Sequence, residues 1–177
     1  MTTIAARRAE DGSVSLAWDA QVTSGNVSSK HFIKVRRVNE QFAVGVSGHL
    51  RFANLIHWAA VDRIHGAVLA DDGFDPEEWV VNTLVPAWGM AVGDAKESGT
   101  VGEDGPPVGS VILVLRGTIF EVGEDFSVCD MGEFAAVGSG GLFALTAMHL
   151  GESARRAVEV ASELDLYTGG EIRELVL

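Results

Sequence analysis

Hydrophobic and polar residues alternate at the start of the chain and later shift to a helical period. Residues 2–8 (Thr-Thr-Ile-Ala-Ala-Arg-Arg) and 13–18 (Ser-Val-Ser-Leu-Ala-Trp) read as two strands, with Asp11-Gly12 between them as a hairpin signal. Residues 19–31 are polar and contain Gly and Ser, which predicts a loop. Phe32 to Val38 and Gln41 to Val46 predict a second hairpin around Asn39-Glu40. From there Leu50, Ala53, Leu55, Ile56, Ala59, Ala60 and Ile64 recur at helical spacing, and Gly66 follows where a helix cap belongs.

A second helix starts at Asp75, which can cap it, with Pro76 at the first helical position and Glu77 and Glu78 at the positive end; Pro86 predicts a kink. Residues 98–109 are rich in Gly, Pro and acid and predict an exposed turn. Val111 to Leu115 is a continuous apolar run, the mark of a strand buried on both faces. Thr118 to Val122 pairs back after Arg116-Gly117, and Phe134 to Val137 runs into Gly138-Ser139-Gly140-Gly141 and a helix to about Leu150. A further helix spans Ser153 to Leu164, with Ser153 as cap, and Ile172 to Leu177 is the last strand. Strands, two helices, strands, two helices and a strand predict one α+β domain over 1–177, with helices stacked on packed sheets.

Composition narrows the function. At 177 residues and 47% apolar content the chain can bury a sizeable core, and no run is long enough to cross a membrane. Arg7 and Arg8 are followed by an acidic segment, so no signal peptide is expected. The net charge of −12 disfavours a phosphate backbone as partner. The single cysteine, Cys129, rules out an internal disulfide framework and suits a reducing cytoplasm. The five histidines lack tight metal-ligand spacing; His57 and His65 share a helical face but need further ligands.

Candidate chemistry starts at Met1-Thr2-Thr3. A threonine hydroxyl becomes a useful nucleophile at a chain start, where its own α-amine can take the proton. Met1 precedes a small residue, so its removal would leave Thr2 at the N-terminus. A free α-amine titrates at about 7.7–8, and a nearby cation lowers that value. Only three lysines, Lys30, Lys34 and Lys96, stand against ten arginines, and Lys34 is a candidate for that cation. Asp19, at the end of the second strand, can supply its counter-charge. The Gly138–Gly141 loop opens a helix but lacks the lysine of a P-loop and the spacing of a dinucleotide fingerprint.

Six motifs in order resemble the proteasome β-subunit family of N-terminal-nucleophile hydrolases, most closely the bacterial HslV-type (ClpQ) peptidase. Thr2-Thr3-Ile4 with Arg7-Arg8 resembles the mature N-terminus. Asp19-Ala20-Gln21-Val22-Thr23-Ser24-Gly25-Asn26 is similar to Asp-Gly-Gln-Ala-Thr-Leu-Gly-Asn, and Lys34-Val35-Arg36-Arg37 to Lys-Val-Arg-Arg. Val44-Gly45-Val46-Ser47-Gly48 is similar to Ala-Gly-Phe-Ala-Gly, and Val137-Gly138-Ser139-Gly140-Gly141 to Ile-Gly-Ser-Gly-Gly; Tyr167-Thr168 also recurs. Departures include Trp18 and Ala20 in place of glycines, His49 and Arg51 at the first helix, and Asp165, as in proteasome β subunits, where HslV-type chains have Cys.

The resemblance implies a four-layer αββα sandwich and a threonine endopeptidase. It implies Thr2 as nucleophile with its amine as base, Asp19 and Lys34 as the charged pair tuning it, and the Gly45 N–H as oxyanion donor. It further implies Thr23 as a binder of substrate backbone, Ser139, Asp165 and Thr168 as supports of the Thr2 amine, and Val22 and Ala43 as lining of a hydrophobic specificity pocket. No cofactor is implied for the chemistry. A structural sodium-like cation, monovalent or divalent, is implied on backbone carbonyls at Ser162, Asp165 and Thr168. Implied partners are further copies in stacked hexameric or heptameric rings, an AAA+ ATPase of the HslU type and unfolded polypeptides, with neither nucleic acid nor membrane. The alternative is a catalytically silent, ring-forming homologue acting as scaffold, favoured by Met1 ahead of Thr2 and by Trp18 beside Asp19.

Overall fold

The computed structural model describes residues 2–24, 27–29, 32–59, 73–98 and 108–177. The expected Gly25-Asn26 motif, the stretch from Ala60 through His65 and Gly66, most of the acidic turn, and Met1 lie outside the described residues.

One sheet contains β1 (Thr3–Arg8), β2 (Val14–Asp19), β10 (Phe134–Gly138) and β11 (Ile172–Val176) in the order β10-β1-β2-β11. The other contains β5 (Val35–Asn39), β6 (Phe42–Gly48), β7 (Gly109–Leu115), β8 (Thr118–Val122) and β9 (Val128–Asp130) in sequence order. All their pairings are antiparallel. The stretch expected as a loop holds a separate small hairpin, β3 (Val22–Ser24) with β4 (Val27–Ser29). Its Thr and Ser residues hid it from a hydrophobic pattern.

Three cores separate four layers. The continuous apolar run of β7 is explained by strand alternation. Val111, Leu113 and Leu115 join Phe42, Val44 and Val46 under the helices α1 (Leu50–Ala59), α2 (Pro76–Trp79) and α3 (Val85–Glu97). Ile112 and Val114 point the other way, against Ile4, Ala6, Val14 and Leu16 of the facing sheet. On that sheet's far side Ala5, Ala17 and Ala136 meet Ala144, Ala147, Ala157 and Ala161 of α4 (Gly141–His149) and α5 (Ala154–Leu164). Small residues on both surfaces let these helices lie close to the strands. The architecture is α+β, in the layer order αββα.

Local signals act as expected at several ends. Asp75 accepts hydrogen bonds from the Glu77 and Glu78 N–H groups, and Ser153 accepts one from the Arg156 N–H. In place of a sharp kink at Pro86, a π-helical turn over Val80–Leu84 joins α2 to α3 and accommodates the missing N–H. Arg7 reaches from β1 to the turn between α4 and α5, where Nη1 donates to the Met148 and Glu152 carbonyls at 2.7 and 2.6 Å.

Candidate active site

Thr2 directly precedes β1 and Thr3 starts it, Asp19 ends the neighbouring β2, and Lys34 directly precedes β5. The two sheets therefore bring a hydroxyl, a carboxylate and an ammonium to one end of the sandwich. All three are buried: Thr2 is 4% exposed, Asp19 0% and Lys34 3%. Thr2 Oγ1 donates to Asp19 Oδ1 at 2.9 Å, and Lys34 Nζ donates to the same oxygen at 2.7 Å. The Thr3 N–H also donates to Oδ1, and the Gly169 N–H donates to Oδ2, each within 3.0 Å. Four donors thus hold one carboxylate. Lys34 has a further acceptor in the Gln21 carbonyl at 2.5 Å. Burial pulls the Lys34 ammonium below the ordinary lysine pKa, and the Asp19 charge and hydrogen bond oppose that pull.

A second hydroxyl network lies beside the first. Thr168 Oγ1 and Ser139 Oγ both donate to Asp165 Oδ2 at 2.6 Å. Thr168 has spent its one proton there, so Thr3 must be the donor in the 2.6 Å contact between Thr3 Oγ1 and Thr168 Oγ1. Burial pushes the Asp165 pKa up, but hydrogen bonds from Ser139, Thr168 and the Tyr167 N–H outweigh it, so the group lies below its ordinary value. Thr3 was not among the residues expected in the site. Its place one residue after Thr2, on the strand face shared with Ala5, is the signal that reveals it.

Gly45, the glycine expected as oxyanion donor, turns its N–H away from the Lys34 side of its strand. Gly45 lies mid-strand, pairing with Val35 on one side and Ile112 on the other. A Cβ there would meet Ile4 and Val35 side chains at 3.1 and 3.3 Å, so this face packs in the inter-sheet core. The Val46 N–H donates to the Lys34 carbonyl, so the Gly45 peptide N–H points the opposite way, into the ladder with β7. By the same alternation the Gly48 N–H points to the Lys34 side, beyond the start of β5. Gly48, with φ +110°, borders both cavities that contain Thr2.

One of these cavities, about 40 Å³, is walled by Val22, Phe32, Val46, Leu50 and Ala53. The other, about 280 Å³, is lined by Ser47, Ser110, Glu124 and Ser139. Val22 and Ser139 thus each border a cavity that contains Thr2. Ala43 does not: it is fully buried in the inter-sheet core, one residue out of phase with Val44 and Val46. Trp18 packs against the same core and borders neither Thr2 cavity. Thr23 lies in β3 opposite Ser28. Ser47, Leu50, Ala53 and Ser110 carry no chemical signature in the sequence, and only the fold brings them to Thr2.

Among the described residues no group of three or more His, Cys, Asp or Glu side chains could hold a metal. Ser162 and Asp165 sit at the C-terminal end of α5 and Thr168 three residues on, where a helix leaves carbonyl oxygens without intrahelical partners. The Asp165 carbonyl accepts from the Thr168 N–H at 3.2 Å, which closes this turn. No helix among the described residues is long and apolar enough to cross a membrane.

No protein-family model and no curated protein matches the chain. Solved structures do. The Thiobacillus denitrificans protein BPH in complex with Epoxomicin superposes with a TM-score of 0.74 at 21% identity, covering 99% of this chain and 97% of that one. BPH alone gives 0.73 at 22% identity, with the same coverage of both chains. Eukaryotic HslV from Trypanosoma brucei gives 0.65 at 21% identity, covering 99% and 98%. The fold of this chain is the HslV fold over its full described length.

Proposed function

We propose that the chain is a threonine endopeptidase, the proteolytic core subunit of a self-compartmentalised, ATP-dependent protease acting on unfolded polypeptides. The observation that carries this reading is the buried triad of Thr2, Asp19 and Lys34, in which hydroxyl and ammonium meet on one carboxylate oxygen. A buried ion pair is costly to build and adds little stability of its own. Placed against a threonine at the start of a strand, it has a chemical use.

The mechanism requires removal of Met1. The Thr2 amine then accepts the Oγ1 proton as Oγ1 attacks the substrate carbonyl carbon. The Gly48 N–H supports the developing oxyanion, in place of the Gly45 N–H expected from sequence. The departing amine takes the proton from the Thr2 amine, leaving an ester on Oγ1. Water, deprotonated by the same amine, then cleaves that ester. Lys34 beside the site favours the neutral amine, and Ser139, held by Asp165, stands next to it. Thr23 in β3 offers an edge along which a substrate strand can be added.

Assembly of copies into stacked rings, an HslU-type ATPase feeding the chamber, a cytoplasmic location and a sodium-like cation at Ser162, Asp165 and Thr168 complete this reading. The HslV fold and the similarity to a BPH complex with Epoxomicin support it. Mass spectrometry of the purified protein tests it: Met1 is absent, and a peptide epoxyketone, which needs both hydroxyl and amine, adds to Thr2. Sizing shows a ring-sized particle. A retained Met1, no labelling and no cleavage of hydrophobic peptides refute the peptidase and leave the silent scaffold.

A further inference from the structure

Two cavities meet at Thr2, and Ser47 and Gly48 border both. The walls of one are mostly apolar. The other is lined by serines and glycines, and Glu124 is its one ionisable side chain among the described residues. Gly138 and Ser139 border this second cavity alone. They stand against the Thr2 main chain: Thr3 pairs with Gly138, and a Cβ on Gly138 would collide with the Thr2 carbonyl. The Thr2 hydroxyl is turned to Asp19.

The chemistry assigns the two halves of a substrate to these cavities. The departing nitrogen takes its proton from the Thr2 amine, so the departing half lies on the main-chain side of Thr2, beside Ser139. The residue that follows the cut then enters the cavity of Glu124. Resting on the peptidase reading, we propose that Glu124 sets a charge preference at that position. Lysine or arginine directly after the cut is favoured, and aspartate or glutamate is disfavoured.

Glu124 stands on a fixed turn between β8 and β9. The Gly123 N–H donates to the Ser127 carbonyl and the Phe126 N–H to the Gly123 carbonyl, at 2.9 and 3.0 Å. The Phe126 ring anchors the turn, its centroid 6.4 Å from that of Phe52 in the core under α1. The neighbouring Asp125 turns its carboxylate back onto the Ser127 N–H. Glu124 has no ion-pair partner among the described residues. Asp165, which accepts from Ser139, is a second carboxylate on this side. The Lys34 charge, by contrast, is met by Asp19. The uncompensated charge around the nucleophile is therefore negative and lies on the departing side. No large apolar wall competes with it, so charge is the property that this cavity discriminates. Glu124 is exposed, so attraction and repulsion are each worth only a few-fold and are screened by salt.

The test uses the processed, assembled protein and internally quenched peptides that differ only in the residue after the cut: Lys, Gln or Glu. Mass spectrometry reads the rate at that bond. At low salt wild type should favour Lys over Glu in kcat/KM by about tenfold, with Gln between. In about 1 M salt, where the Debye length is about 3 Å, the ratio should approach one. Glu124→Gln should reduce the low-salt ratio to about threefold or less, and Glu124→Lys should invert it. A wild-type ratio near one at low salt overturns the proposal, as does either variant with the wild-type ratio. If no peptide is cut and no epoxyketone adds to Thr2, the peptidase reading falls and takes this inference with it. Cleavage without the charge order removes this inference alone.

Discussion

The Lys34 ammonium lies 2.7 Å from Asp19 Oδ1, and both side chains are withdrawn from solvent at the junction of the two sheets. Neither group is needed to close the core, which apolar residues fill on either side. The pair holds its geometry through three further donors to Asp19, one of them the Thr2 hydroxyl. Charge, burial and the first residues of β1 are thus coupled in one arrangement.

That coupling separates stability from activity. Asp19→Asn leaves the Lys34 charge buried without its partner and should cost about 3–5 kcal/mol in urea unfolding. The double variant Asp19→Asn with Lys34→Met removes both charges, keeps an amide oxygen for the Thr2 and Thr3 donors, and should recover part of that loss. Neither variant should be labelled by epoxyketone. An Asp19→Asn protein as stable as wild type would refute the structural part of this account.

Gly48 and Gly45 give opposite outcomes when a methyl group is added. At Gly48 the backbone has φ +110° and a Cβ would stand 2.6 Å from the Gly109 Cα and the Val108 carbonyl oxygen. Gly48→Ala should displace the N–H and lower kcat about a hundredfold. Gly45→Ala presses on Ile4 and Val35 in the core, and should cost about 1–3 kcal/mol of stability while keeping kcat. Steady-state kinetics beside denaturant titration decides the matter; loss of kcat in Gly45→Ala alone would reverse the assignment.

The two glycines also mark where sequence reading reached its limit. Asp75-Pro76-Glu77-Glu78 was legible because a helix cap is local, made by residues two and three positions apart. The apolar run of β7 was legible because both faces are buried. Thr2, Asp19, Lys34 and Ser139 were found as a set through motif resemblance. The direction of a peptide N–H in β6, by contrast, depends on strand parity and on where β5 begins. The same parity moved Ala43 from the expected pocket into the inter-sheet core. The β3–β4 hairpin is mostly Ser and Thr in sequence, and β9, Val128-Cys129-Asp130, has no buried residue, so neither gave a periodic signal.

Thr3 and Thr168 form a buried hydroxyl pair whose two halves should not be additive. Thr168→Val leaves the Thr3 hydroxyl buried with no acceptor there and should cost about 1–3 kcal/mol. Thr3→Val together with Thr168→Val replaces both hydroxyls by methyl groups of similar shape and should lie close to wild type. Asp165 keeps its hydrogen bond from Ser139 in every case. Chemical unfolding of the two single variants and the double measures the coupling, and a double variant that shows the sum of the single losses would disprove it.

His57 predicts an acid-labile fold. Its side chain is buried on α1, and burial drives its pKa down to about 4; the nearby Arg36 charge adds to this, while the Ile33 and Lys34 backbone opposes it. The unfolded residue titrates at about 6.5. Above that pH both states are neutral and His57 contributes no pH dependence. As pH falls below it, the unfolded chain takes a proton that the folded chain refuses, so stability declines until the folded group also titrates near 4. At roughly 1.4 kcal/mol per pH unit the full loss is about 3 kcal/mol. His57→Leu removes the titration and both ring nitrogens, neither of which has a hydrogen-bond partner among the described residues. Between pH 7 and 4.5 its stability should fall less steeply than that of wild type, and parallel curves would rule His57 out as the cause.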